Sequence, residues 1–299
     1  MINYNQEPLR RVKGKNREIA VFTTKGKNID EEVVKSFGDE WEKFHVFSDD
    51  MIEEWVKDYF DIIDETIVNK TTYMLDIGCG SGRWTKYFSK KAQFIEAVDP
   101  SDSIFAADNL LDNVANVRLS KASIENIPFP DKTFDFVMSV GVLHHTPNTQ
   151  MSMVDCVKKV KKGGYFYCYL YHNLENMSAG KKLLFYIGEI IRKIVSRLPQ
   201  RIKAFICDVL AIVVYMPFIL LTKLLFKTGM KKLAEKVPLS CYHDKSFFSI
   251  RNDSLDKFGT KLEHRFSKQE VEQLMTNCGL SDIVISNGIP HYHAIGRKK

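Results

Sequence analysis

The sequence predicts an α/β fold organised on a doubly wound, mostly parallel sheet. Three observations carry this. Between residues 73 and 171, short apolar runs alternate with helical patterns, the signature of strand–helix–strand units with helices on both faces. At 74–82, Met-Leu-Asp-Ile-Gly-Cys-Gly-Ser-Gly runs an apolar strand into a loop with glycine at every second position, and Arg-Trp-Thr-Lys-Tyr-Phe then opens a helix. At 95–100, Ile-Glu-Ala-Val-Asp-Pro ends a second apolar strand in an acid.

The loop suits a ligand. Gly78, Gly80 and Gly82 lack a Cβ, so a bound group can lie against the backbone. The following helix start offers unpaired N–H groups to a carboxylate or phosphate. Asp76, inside the strand end, is costly to bury unless it is paired or touches the ligand. Asp99 stands where a neighbouring strand places a carboxylate on ribose hydroxyls; a helix cap before Ser101 is the competing role. The spacing is not that of dinucleotide folds, because Arg83 takes the place of a third glycine. A plain, nucleotide-free turn is the alternative for the loop alone.

In chain order, 1–35 is polar and irregular, with one strand-like run, Glu-Ile-Ala-Val-Phe-Thr-Thr. Residues 49–68 have the apolar spacing of an amphipathic helix, including Ile62 and Ile63. Strands are predicted near 73–77, 93–98, 116–120, 134–140 and 164–171, and helices near 82–90, 102–110 and 150–160. Lys-Lys-Gly-Gly at 161–164 ends the last helix and starts the fifth strand. Tyr165, Tyr167 and Tyr169 share one face of that strand. After a break in the rhythm, Ser267 and Glu270 form a capping box, Gly279 closes the helix, and strands follow at 281–286 and 291–297.

The break, at 175–245, is the unusual part. Leu183 to Val195 is apolar and amphipathic, Pro199 marks a turn, and 204–222 carries one charge, Asp208, over roughly the ~20 residues that span a bilayer. Pro217 is expected to kink it. Three readings stay open: a helical lid over the substrate pocket, a basic amphipathic element lying on a membrane, and a true span. Residues 178–236 hold twelve Lys and Arg against three acids, a charge of +9 in a chain of net +6, so the remainder is −3. One stretch, not the whole surface, asks for an anionic partner.

Composition, 44% hydrophobic and 27% charged, is that of a folded chain and excludes disorder. The first residues have no apolar core of a secretory signal. Six scattered cysteines form no Cys-x-x-Cys pair, so neither zinc nor a disulfide framework is expected and no metal site is assigned. The expected location is cytoplasmic, peripheral at the inner face of a membrane if the basic segment binds lipid.

Together with Ile-Pro-Phe-Pro-Asp-Lys-Thr-Phe-Asp-Phe-Val-Met-Ser-Val-Gly-Val-Leu-His-His-Thr-Pro at 127–147, the two earlier motifs resemble the class I S-adenosylmethionine (SAM) dependent methyltransferases, in their small-molecule, type 11-like branch. The resemblance covers about 74–171 and resumes at 264–299. It implies a Rossmann-like sheet of seven strands whose last strand runs antiparallel between the fifth and sixth. It also implies four regions: 1–48, an extension covering the cofactor site; 49–174, the first part of the core; 175–250, the mostly helical insertion; and 251–299, the C-terminal part of the core.

Carried onto this sequence, the family's roles give SAM as cofactor and S-adenosylhomocysteine as product. Asp76, Gly78, Cys79, Gly80 and Gly82 would hold the methionine end, Asp99 the ribose, and Pro100 and Ser101 the adenine edge. Ser123 stands where relatives often carry an adenine-binding acid; Ile124 and Glu125 adjoin it, and Glu125 is the other candidate for that contact. Val140 ends the fourth strand beside the cofactor. His144 is the candidate general base, with His145 and His172 as alternatives, since imidazole titrates near neutrality; capping and packing are the competing roles. Trp41, Tyr171, Arg251 and His291 are candidate substrate contacts, with a packing role for Trp41 and a surface salt bridge for Arg251 as the alternatives.

The function implied is methyl transfer to a small or lipid-like acceptor. RNA methylation is an alternative, on the basic charge, but the Asn/Asp-Pro-Pro-Tyr/Phe motif of amine-directed nucleic-acid methylases does not follow the fourth strand, and a nucleic-acid partner is not expected. A non-catalytic, membrane-associated SAM-binding protein is the third reading.

Overall fold

The apolar runs become the strands of a single sheet in the computed structural model, which describes residues 1–43, 47–175, 179–286 and 292–299 and, within these, not the side chains of 40–43 and 181. The chain divides into two units, one of Met1–Asn173 with Leu262–Lys299, the other of Leu174–Lys261.

The first unit opens with strands β1 (Arg10–Lys13) and β2 (Glu18–Val21), then helices α1 (Glu31–Lys43) and α2 (Asp49–Tyr59). The predicted pattern follows: β3 (Tyr73–Ile77), α3 (Arg83–Ser89), β4 (Phe94–Asp99), α4 (Ser103–Leu110), β5 (Val117–Lys121), β6 (Phe134–Val140), α5 (Thr149–Lys159) and β7 (Val160–Leu170). The second unit carries α6 (Ala179–Val195), α7 (Gln200–Leu210), α8 (Met216–Lys227), α9 (Lys231–Ala234) and α10 (Phe247–Gly259); α11 (Lys268–Asn277), β8 (Leu280–Ile285) and β9 (Tyr292–Lys298) return to the first.

The sheet order is β1-β2-β5-β4-β3-β6-β7-β9-β8. From β2 to β7 all neighbours are parallel, and β9 runs antiparallel to both β7 and β8. The seven expected strands are all present, with the last one between the fifth and sixth. The strand-like run at 18–24 adds to them: β2 pairs with β5 and brings β1 as a hairpin partner, making nine.

Strand order reverses at β3, which pairs with β4 on one side and β6 on the other. Such a switch point opens a crevice beyond the carboxyl ends of the strands. One sheet face, with Leu75, Ile77, Phe134, Phe166 and Leu170, packs against Met153 and Val157 of α5 and Val271 and Met275 of α11. On the other, Phe88 of α3 packs on Phe136 and on Phe60, which in turn meets Tyr167. In β4, beside the central strand β3, Glu96 is fully buried, takes a bidentate pair from Arg118 at 2.7 Å, and accepts from the Tyr73 hydroxyl at 2.6 Å.

Three boundaries differ from expectation, each for a tertiary reason. α2 starts at its Ser48 cap but stops at Tyr59 rather than 68, because Tyr59 and Phe60 turn onto Trp84, Tyr167 and Tyr169 and leave Ile62 and Ile63 outside the helix. β7 begins at Val160, paired with Phe134, and absorbs Lys161-Lys162-Gly163-Gly164 as an irregularity; Gly163 takes φ +76°, and a Cβ on Gly164 would stand 2.7 Å from the Asp135 carbonyl. The insertion extends past 250: α10 packs on α6 and α7, so residues 251–261 belong with it and not with the core. The capping box of Ser267 and Glu270 and the positive φ of Gly279 are as expected.

Within the second unit, helix continues from Gln200 to Lys227. Pro217 does not end it; the preceding residues, Ala211–Tyr215, take π-helical bonding, one of the ways a helix accommodates a missing N–H. α10 is tied to this helix by Arg251 on Asp208, by Ser254 Oγ donating to the Cys207 carbonyl at 2.7 Å, and by Tyr215 donating to Asp253 at 2.6 Å.

Candidate functional site

At the switch point two carboxylates flank the glycine loop. Asp76, one residue from the end of β3, is fully buried, and its Oδ2 accepts from the Thr85 hydroxyl at 2.6 Å. Burial, with Asp99 adding to it and Thr85 opposing, pushes its carboxyl up to about 7. Near neutral pH it is divided between acid and carboxylate, and a cation placed beside it would favour the ionised form. Thr85 went unread in the sequence; its signal is its position one helical turn past the loop, on the face turned to the sheet.

Asp99 closes β4. One of its oxygens accepts from the Gly80 N–H at 2.9 Å; the other accepts from the N–H and the hydroxyl of Ser101, at 2.8 and 2.6 Å. Its expected partner was a ribose, yet three bonds go to its own loops. A carboxylate has about four acceptor sites, so among the described residues one is left. The competing cap role is also realised in part: Ser101, fixed by Asp99, accepts from the N–H of Ser103 at the start of α4.

The glycines do different jobs. Gly78, Gly80 and Gly82 all have positive φ, +75°, +54° and +81°. The space a Cβ would take at Gly78 is filled by the Val142 side chain, 2.4 Å away, so the close approach expected there for a ligand is made by the loop after β6. At Gly82 it is Ala107 of α4 that comes close, at 3.0 Å. Cys79 is buried, and burial with the two nearby carboxylates pushes its thiol well up, which excludes a thiolate role. Ser81 Oγ is buried in this loop and has no hydrogen-bond partner among the described residues.

Ser123 and Glu125 are committed elsewhere. Ser123 Oγ donates to the Thr23 carbonyl and accepts from Asn126. Glu125 accepts from the backbone N–H groups of Lys27 and Asn28, at 3.1 and 2.5 Å. Both side chains anchor the N-terminal segment. Ile124 packs against the main core, and Val140 is buried at the end of β6. Gly38 of α1 would bring a Cβ within 3.2 Å of Ser101, so the extension reaches the end of β4.

Beyond β6 and β7 lies a cluster of rings. His144 stacks on Tyr171 at 4.0 Å and lies 4.1 Å from His145; Phe37 of α1 is 4.9 Å from His145. His145 Nδ1 is 2.7 Å from the Leu262 carbonyl, so that nitrogen carries the proton and Nε2 is the acceptor. His172 stands apart, bridged in backbone pairing to Phe266 with its ring 6.2 Å from Tyr292. On the same face of β7 as Tyr171, Tyr169 stacks on Tyr59 and on His293, and Tyr59 meets Trp84 at 4.8 Å. His293 is fully buried with Nδ1 2.8 Å from Asp61. Burial alone would push Asp61 up, but its bonds to Ser286 and His293 hold it below the usual carboxylate range.

Arg251 belongs to the second unit, where its guanidinium is bidentate on Asp208 at 2.8 and 2.6 Å; the salt bridge is what the structure contains, not an open cation. The side chain of Trp41 and all of His291 lie outside the described residues.

The groups present fit a sulfonium nucleoside bearing an amino acid: a buried carboxylate raised by desolvation, an unpaired serine hydroxyl in the loop, and one vacant acceptor site on the neighbouring strand's acid. Residues 75–168 match a family model described as "Methyltransferase domain". The chain is 33% identical over 113 residues to a demethylmenaquinone methyltransferase of Geobacillus sp. (strain WCH70), covering 34% of this chain and 46% of that one. It is 27% identical over 104 residues to a ubiquinone biosynthesis O-methyltransferase of Coxiella burnetii, covering 34% and 44%. It thus spans less than half the length of these relatives. The structure of a complex titled DhpI-SAH is similar in fold, with a TM-score of 0.53 over 90% of this chain and 98% of that one, at 14% identity.

Sheet order, glycine loop and the match over residues 75–168 make this part of the chain similar to methyltransferase domains.

Proposed function

We propose that the chain transfers the methyl group of SAM to a small or lipid-like acceptor, leaving S-adenosylhomocysteine. The observation that carries this is the pair of buried carboxylates, Asp76 and Asp99, on either side of a positive-φ glycine loop. In this reading Asp76 meets the cofactor's ammonium, Ser81 and the loop N–H groups meet its carboxylate, and the last acceptor site of Asp99 takes a ribose hydroxyl. Pro100 and Ser101 border the base. The bound cofactor supplies a methyl carried on a sulfonium. The chain's own contribution is to hold the acceptor in line, worth about 7–11 kcal/mol when alignment is good.

An acceptor with a hydroxyl or acidic carbon must also lose a proton. Of the three candidate histidines, His145 fits best, because the Leu262 carbonyl fixes its tautomer and leaves Nε2 to accept. The ring cluster of Tyr171, His144 and Phe37 beside it suits a flat, apolar acceptor. Two relatives carry quinone substrates in their names, in keeping with that shape. A lipid-like acceptor would be met at the surface of a membrane, the inner face if the chain is cytoplasmic.

Calorimetry with SAM on the wild type and Asp99→Ala tests cofactor binding; heat for the first and at least tenfold weaker binding for the second is expected. Formation of S-adenosylhomocysteine with demethylated quinols, against sugars and short RNA, tests the acceptor class. No heat with SAM ends the proposal; turnover with RNA alone ends its acceptor half.

A further inference from the structure

The long helix of the second unit is inside out. Along Gln200–Lys227 the inward positions include Lys203, Cys207 and Thr222, while Asp208 and Tyr215 reach Arg251 and Asp253 of α10. The outward positions carry Phe205, Val209, Ile212, Leu220 and Leu224, between 39% and 68% exposed. α6 repeats the arrangement: Leu183, Ile187, Ile190 and Ile194 face out, and Arg192 is buried against Glu189 and the carbonyls of Thr260 and Lys261. A helix bathed in water shows the opposite polarity, and an apolar face of this length marks a contact surface.

Charge says which contact. Lys193, Arg197 and Arg201 precede the outward stripe, and Lys223, Lys227 and Lys231 follow or edge it; all six are exposed and make no ion pair among the described residues. With the segment at +9, a second copy laid face to face would bring two strongly positive surfaces together. An anionic sheet of lipid headgroups over hydrocarbon matches both the cations and the stripe.

We propose that the Leu174–Lys261 unit docks in the plane of an anionic bilayer. The outward face of Gln200–Lys227 enters the boundary between headgroups and acyl chains, and the flanking lysines and arginines sit at the phosphates. The helix, 28 residues and so about 42 Å, is long enough to cross the ~30 Å hydrocarbon layer. Its inner face forbids this. Tyr215, near the middle, donates to Asp253, which also accepts from Tyr242, and the Asp208–Arg251 pair lies two turns earlier. Crossing would carry these groups, with Asp256 and Lys257 of the attached α10, to the depth where charge is least tolerated. Lying flat keeps them on the water side.

Docking of this kind needs no methyl transfer, so vesicle binding reads it alone. The full chain is sedimented with phosphatidylcholine vesicles, with and without phosphatidylglycerol. Binding to the mixed vesicles is expected, weakened by salt, with much less on phosphatidylcholine alone. Lys223→Gln with Lys227→Gln weakens it by about 25-fold, roughly fivefold per lysine. Phe205→Ser with Leu220→Gln abolishes it while circular dichroism and melting stay as in the wild type, because both residues are exposed. Alkaline carbonate releases the protein. Equal binding to both vesicles, or binding untouched by either pair of substitutions, overturns the proposal. So does retention through carbonate, which is the behaviour of a span. A dimer in solution that the Phe205, Leu220 variant dissociates, without vesicle binding by the wild type, assigns the face to a second copy and overturns it as well.

Discussion

Replacing Asp76 by Asn tests the reasoning about the loop at its most exposed point. The carboxyl titrates at about 7 in the fold against 3.8 in the unfolded chain. A gap of about three units corresponds to about 4 kcal/mol between the two protonation states. The sign follows from where the proton sits. Between the two values the folded chain holds a proton that the unfolded chain has released, so the contribution of Asp76 is fully present below pH ~4 and is lost as pH rises through ~7. About 2.5 kcal/mol of that loss falls between pH ~5 and ~8. Asn keeps an oxygen for the Thr85 hydroxyl and cannot ionise, so its chain has no such slope. Whatever Asn costs in unpaired N–H groups is the same at every pH.

The measurement is urea unfolding of both chains without cofactor across that range. The wild-type stability minus that of Asp76→Asn should fall by about 2.5 kcal/mol from low to high pH. Calorimetry with SAM supplies the second half. A ligand cation that needs the ionised carboxylate binds the wild type about tenfold more weakly for each pH unit below ~7, and Asp76→Asn binds weakly and without that dependence. A stability difference that stays flat would show that Asp76 is not desolvated as the geometry requires. A wild-type affinity that stays flat would remove the ammonium from beside it.

Gly78→Ala adds a Cβ at φ +75° and 2.4 Å from Val142; loss of SAM binding is expected, with Val142→Ala restoring part of it but not the backbone strain of about 1–2 kcal/mol, and an unaffected single variant would refute the packing. Glu96→Ala strands the Arg118 guanidinium and the Tyr73 hydroxyl in the middle of the sheet; denaturant unfolding should show about 3–5 kcal/mol lost, whereas under 1 kcal/mol would mean water reaches the pair. His145→Gln should lower turnover about 10²–10⁴-fold with SAM affinity unchanged, and full activity would return the proton transfer to His144 or to the acceptor itself.

Most of the sheet was legible because its strands are buried on both faces and therefore read as apolar runs bounded by glycine or acid, as at Met74–Ile77 and Ile95–Asp99. The hairpin β1–β2 was half legible: Ile19–Val21 are apolar and were seen, while Arg10–Lys13 is largely exposed and looks like polar coil. The end of α2 was misplaced because Ile62 and Ile63 continue a helical spacing that the Tyr59 and Phe60 contacts override. In the candidate site, motif alone singles out Asp76, Asp99 and the glycines. What escaped was everything that depends on a partner distant in sequence: Val142 over Gly78, Leu262 on His145, Lys27 and Asn28 on Glu125.

The insertion stayed open in the sequence for a different reason. Its composition announces an apolar, basic segment, but periodicity cannot say which face is turned outward, because a helix that buries its apolar stripe and one that presents it have the same spacing. The face is decided by where the few polar residues find partners. Asp208, Tyr215 and Arg192 are each held from within the unit, by Arg251, by Asp253 and by the carbonyls at 260–261. Once those bonds fix the inner face, Phe205, Val209 and Leu220 have no choice but to point away. Arg251, for which the sequence leaves a substrate contact and a salt bridge both open, makes the salt bridge and so helps to orient the helix that carries the apolar stripe.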